Sequence, residues 1–132
     1  MELFKWYDRY SINNEELDNH HKTLFSILNK LYENCMGTDL PNNLDQIVEE
    51  LVSYSNYHFA AEEQYMRNIE YMDIEKQISE HRFFTRRTAQ LQTDLNKKDL
   101  EQTKELIVFL GSWILKHIME EDKKITIHWH AE

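Results

Sequence analysis

Tyr57-His58-Phe59-Ala60-Ala61-Glu62-Glu63-Gln64-Tyr65-Met66 contains neither Gly nor Pro, and Ala, Glu, Gln and Met favour helical backbone. On that helix His58 and Glu62 are four residues apart, so they share a face, about 40° from each other. An imidazole stacked over a carboxylate is a ready pair of metal ligands, but such pairs also meet on solvated helix faces. Alone, this one decides nothing. Its weight comes from three further helical stretches that carry His inside their apolar stripes.

Working upstream, the same helix begins near Pro41, which suits a first turn after Asp39-Leu40. It carries Leu44, Ile47, Val48, Leu51, Val52, Tyr54 and Ser55 into the quoted stretch, spanning about residues 41–66. A preceding helix over about 14–36 has Leu17, His21, Leu24, Phe25, Leu28, Leu31 and Tyr32 at 3-4 spacing. Asn13 with Glu16 resembles its capping box, and Gly37 ends it. Phe4, Trp6, Tyr7, Tyr10 and Ile12 make residues 1–13 too aromatic for a free tail, so they are expected as an extended arm packed across the helices.

Downstream, Asp73 can cap a third helix over about 74–95, with Ile74, Gln77, Ile78, His81, Phe84, Thr88 and Leu91. Asp99 with Gln102 is a second capping-box pattern for a fourth helix over about 100–121, carrying Leu106, Ile107, Leu110, Trp113, Ile114, His117 and Ile118. Ile125 to Trp129 alternates, which leaves strand and arm both open. Four helices with short connections become antiparallel neighbours. The expectation is an all-α, up-down-up-down four-helix bundle in a single domain over 1–132, with an extended N-terminal arm.

The chain has 132 residues and a formal charge of −9, which argues against a nucleic-acid or anionic-membrane partner. No apolar run approaches a membrane span and no signal peptide is evident. Cys35 is the one cysteine, so neither a disulfide framework nor a thiolate metal cluster is expected, and a reducing cytoplasm is the simplest location. Two Gly and one Pro leave little material for turns. The seven His are the informative surplus.

Each helix places potential ligands on its core side: His21, then His58 and Glu62, then His81, then His117 with Asp122. One buried His is ordinarily a hydrogen-bonded core residue. Four of them with two acids would cost several kcal/mol to bury without mutual compensation, on the order of a few kcal/mol per unpaired group. A metal ion satisfies them together, and imidazole with carboxylate suits iron, zinc or manganese. The ligands are too many for one ion, so two fit better. The His117 to Asp122 spacing is irregular: five residues rotate about 140° on a regular helix, so both face inward only where the helix loosens or ends. His20, about 100° from His21, is expected in solvent, and His128 and His130 on the surface or an arm.

The order Asp18-x-x-His21-x-x-Leu24-Phe25, His58-Phe59-x-x-Glu62-Glu63-x-x-Met66, His81, and Trp113-x-x-x-His117-Ile118-x-x-x-Asp122 resembles the hemerythrin family in its bacterial single-domain form. The resemblance runs from Trp6 to about Lys124. It implies a four-helix bundle around two non-haem iron ions that bind dioxygen reversibly. It further implies that Glu62 and Asp122 bridge the irons beside an oxo or hydroxo group. His21 and His58 match the terminal ligands of the iron with an open position, and His81 and His117 match two of three on the other. The family's third His falls on Gln77, which can offer only an amide oxygen, a much weaker ligand.

Gln77 could leave an exchangeable position, weaken one site to a single ion or mixed pair, or coordinate through its oxygen. A drifted site with only the fold remaining is a further alternative. Leu24, Leu28, Phe59, Trp113 and Ile114 lie on or beside the histidine faces and could wall a small gas ligand from water; they serve equally as bundle core. The leading reading is reversible dioxygen binding for storage, delivery or sensing. The rivals are a di-iron enzyme acting on peroxide or nitric oxide, and a metal-holding protein without redox work. For an enzyme, only Glu63, Tyr54, Tyr57 and Tyr65 offer themselves as proton donors. The Glu-x-x-His motifs of ferritin-like enzymes are missing at the matching places.

Overall fold

The computed structural model describes residues 4–34, 44–94 and 100–125. The chain is an all-α four-helix bundle: α1 Glu15–Asn34, α2 Leu44–Asn68, α3 Ile74–Asp94 and α4 Leu100–Lys116, the last continued by a π-helical segment, His117–Asp122. Each helix packs on its neighbours in chain order, and α1 closes the ring against α4. Among the described residues no helix is long and apolar enough to cross a membrane. Gly37, Pro41, Cys35, Asp99 and the tail with His128 and His130, and with them the helix signals and most of the alternation read there, lie outside the described residues.

The buried stripes explain both the bundle and its polarity. On α2 the buried positions include Ile47, Leu51, Ser55, His58, Glu62 and Met66, apolar in the first half, with the polar ones gathered in the second. On α4, Leu106, Leu110 and Ile114 precede His117, whereas α1 places His20 and His21 before Leu24, Leu28 and Leu31. The third helix also begins polar, with Gln77 and His81 before Phe84. Alternating direction therefore gathers the buried histidines and acids at one end of the bundle, leaving a mostly apolar core at the other, where Thr88 and Thr103 are buried as well.

The arm is anchored rather than free. Phe4 and Trp6 pack against the core and Tyr10 and Ile12 are buried, with one 3-10 turn at Asp8–Tyr10. Tyr7, expected in that packing, is about half exposed at 49% and touches Tyr10 edge-on. Gly111 admits the arm to α4: a Cβ there would lie 2.5 Å from the Phe4 ring. Asp18 clamps the arm's end, accepting hydrogen bonds from the Ser11 hydroxyl at 2.5 Å and the Ile12 N–H at 2.9 Å. Lys123 donates to the Ser11 carbonyl at 2.8 Å.

The helix cap differs from the sequence expectation. Asn14, not Asn13, caps α1, its side-chain oxygen accepting from the Leu17 N–H at 3.0 Å. Asn13 is instead in the left-handed region, φ 60°, a conformation Asn tolerates better than most residues, and it turns the chain into the helix.

Candidate metal centre

Four imidazoles and two carboxylates converge at the polar end of the bundle, all of them buried. His21 comes from α1, His58 and Glu62 from α2, His81 from α3, and His117 and Asp122 from the π-helical segment. The π register, with hydrogen bonds to the fifth residue on, stacks residues five apart on one face. That local loosening brings Asp122 Oδ1 within 3.2 Å of His117 Nε2. All six residues singled out in the sequence are thus brought together.

The histidines form two pairs. His21 and His58 meet Nε2 to Nε2 at 3.0 Å, and His81 and His117 at 3.1 Å. Each carboxylate divides its oxygens between the pairs. Glu62 Oε2 lies 3.3 and 3.2 Å from His21 and His58, while Oε1 lies 3.0 and 3.8 Å from His81 and His117. Asp122 sets Oδ2 3.2 Å from His21 and Oδ1 3.2 Å from His117.

The outward ring nitrogens are held by residues that only the fold reveals. His81 Nδ1 donates to Glu63 at 2.8 Å, and His117 Nδ1 to Glu80 at 3.0 Å. His58 Nδ1 meets His20 Nδ1 at 3.1 Å. His20 is therefore not in solvent: it is 6% exposed, wedged between Tyr54, Tyr57 and His58. The turn of 100° from His21 aims it at α2 because α1 and α2 pack side by side there. Burial lowers its pKa, against the pull of Glu16. Glu63, read in the sequence as a candidate proton donor, instead holds the His81 ring. Glu80 gave no signal at all, since its partner is 37 residues away.

These contacts test whether a cation fits. A ring whose Nδ1–H is donated outward offers a lone pair at Nε2, and His81, His117 and Glu62 Oε1 then aim acceptors at one another. Asp122 Oδ2 makes no hydrogen bond despite its close imidazole. Acceptors converging on one point need positive charge between them, from protons or a metal ion. Without metal, protons serve: burial opposes charge on His21, but Asp122 and Glu62 outweigh it and push its pKa up to about 9. The same contest raises His81 and His117. Burial would raise Glu62, yet the surrounding imidazoles pull its carboxyl well below the usual range. The donor set of imidazole nitrogen and carboxylate oxygen fits iron.

A family model described as the hemerythrin HHE cation binding domain matches residues 13–126. The chain belongs to the hemerythrin family. It is 31% identical to a bacteriohemerythrin of Clostridium acetobutylicum over 92% of this chain and 98% of that protein. A bacteriohemerythrin of Campylobacter jejuni is 33% identical over 92% of each. Among solved structures, a crystal structure of a leucine-to-phenylalanine mutant superposes with a TM-score of 0.79 at 26% identity, covering 96% of this chain and 97% of that one. The buried His/Glu/Asp cluster of this hemerythrin domain is thus a metal-binding site of the non-haem iron kind.

Gln77 is fully buried and donates its amide N–H to Asp122 Oδ1 at 3.1 Å, leaving its own carbonyl oxygen without a hydrogen bond. Around the centre Phe59 stacks on the His81 ring at 4.0 Å and 9°, and Trp113 on His117 at 4.6 Å and 10°. Leu24, Leu28, Phe59 and Ile114 are buried; Trp113 is partly so and borders a cleft of about 370 Å³ that reaches His117 and Glu80.

Proposed function

We propose that this hemerythrin domain holds two non-haem iron ions and binds dioxygen reversibly, for storage, delivery or sensing in the cytoplasm. One observation carries the reading: Glu62 and Asp122 each divide their two oxygens between two separate histidine pairs. A single ion would leave half of that arrangement without a purpose. His21 and His58 would hold one ion, His81 and His117 the other, and the two carboxylates would bridge. Bound iron supplies the electrons that dioxygen draws on when it binds.

The chain's own residues do the rest. Glu63, Glu80 and His20 hold the His81, His117 and His58 rings so that Nε2 faces inward. Leu24, Leu28, Phe59, Trp113 and Ile114 keep water from the pocket, which strengthens electrostatic attraction inside it and slows loss of the bound gas in a reactive form. Measuring metal on protein prepared without oxygen tests the ion count. About two irons per chain is expected; one or none would overturn it.

A second reading rests on Gln77. Its amide faces Asp122, so the ion at His81 and His117 would have one imidazole fewer than the family pattern. An exchangeable position there favours an enzyme acting on peroxide or nitric oxide. Turnover of either that falls in a Gln77→His variant would favour this reading over carriage.

A further inference from the structure

The two histidine pairs have unequal surroundings. Outside the ligand ring, His81 and His117 each rest on a carboxylate, Glu63 at 2.8 Å and Glu80 at 3.0 Å. Among the described residues the other pair has no carboxylate there: His58 rests on His20, and His21 Nδ1 has no hydrogen-bond partner. Gln77, which denies an imidazole, is on the same side as the two carboxylates, tied to Asp122 Oδ1, the oxygen that faces His117.

A carboxylate accepting an imidazole N–H polarises the ring and makes its other nitrogen a stronger donor. It also adds negative charge near the ion in a poorly screened interior. Both effects fall where the weak ligand is. We propose that Glu63 and Glu80 are positioning residues that compensate for Gln77, so that the His81/His117 ion depends on them while the His21/His58 ion does not. Glu80 lies on α3 one residue before His81 but serves His117, and Glu63 lies on α2 beside the bridge but serves His81. The compensation thus crosses the bundle, tying α2 to α3 and α3 to the end of α4.

This inference rests on the two-ion reading. It is tested by titrating metal-free protein with cobalt(II), following visible bands and ions bound per chain. Glu63→Gln and Glu80→Gln keep a hydrogen-bond acceptor and remove only the charge. Both side chains are partly exposed, 19% and 30%, and each single variant is read alongside the double one so that a folding defect in the latter does not decide the outcome.

The natural sequence should bind two ions. The double variant should keep one ion at its original affinity and hold the second at least about 10–100-fold more weakly, the usual effect of losing such a partner. Adding Gln77→His to the double variant should restore the second ion. Equal weakening of both ions, no weakening, or no rescue would overturn the compensation. One ion in the natural sequence but two in Gln77→His would overturn it too, while sparing the two-site geometry. One ion in both would instead overturn the two-ion reading, and the inference with it.

Discussion

His117 and Asp122 are five residues apart, yet His117 Nε2 and Asp122 Oδ1 lie 3.2 Å from each other. A regular helix would splay them by about 140°; the π-helical segment His117–Asp122 narrows that angle. Its far end is fastened by Glu121, which pairs with Lys76 of α3 at 3.0 Å and with Lys124 at 3.1 Å. The position of the Asp122 carboxylate is thus set by backbone geometry as much as by residue type.

Deleting Met119 tests that relationship. The residue is 43% exposed, so little packing is lost, and the spacing falls to four, which a regular helix stacks on one face. Metal content should be retained, with a regular helix through the segment. Inserting an alanine after Met119 should instead lower metal content, because neither register then aligns the pair. Retention on insertion would contradict this account of the segment.

Removing either carboxylate bridge should empty the centre in part. Glu62→Ala or Asp122→Ala takes one oxygen from each histidine pair, so bound iron should fall to one ion per chain or fewer. Metal analysis after anaerobic reconstitution reads this directly, and full occupancy in both variants would sink the bridging assignment.

His20→Leu should weaken metal binding at the His21/His58 pair by about 10–100-fold, since His58 loses the acceptor for its outward N–H. Leaving that buried donor unpaired should also destabilise the metal-free protein by about 1–3 kcal/mol. His20→Gln restores an acceptor and should recover much of both. Titration and thermal melts of the three proteins compare them; a His20→Leu variant identical to the natural sequence would return His20 to a passive role.

The metal-free protein should lose stability in alkali. His21 has a folded pKa of about 9 against 6.5 for the free side chain, so its contribution is complete below pH 6.5 and vanishes as pH rises through 9. For His21 alone this is at most roughly 3 kcal/mol, and the raised His81 and His117 act in the same direction. Metal competes with the same protons, so apparent affinity should climb across that window. Melting temperatures of metal-free and loaded protein from pH 6 to 9.5 check both, and a metal-free profile flat to pH 9 would contradict them.

The bundle was legible because each helix writes its core as a 3-4 stripe, and the histidines and Glu62 were legible because they interrupt those stripes; Asp122 was singled out by its place after His117 and by the family resemblance. His117 and Asp122 even announced their irregular spacing, though the sequence could not distinguish a loosened helix from a finished one. His20 was misread because a face 100° from the core of one helix is solvent only until a neighbour covers it, and α2 does. Glu80 was invisible because its partner His117 belongs to another helix. Local periodicity reports which side of a helix is buried; it does not report what the outer nitrogen of a buried ring will touch.

The most direct test of the central proposal is the visible spectrum of iron-loaded protein, prepared without oxygen and then cycled between dioxygen and vacuum. Reversible binding predicts a band that appears with dioxygen, disappears when it is removed, and returns over repeated cycles. A single irreversible change on first exposure, or no change with two irons bound, would contradict it.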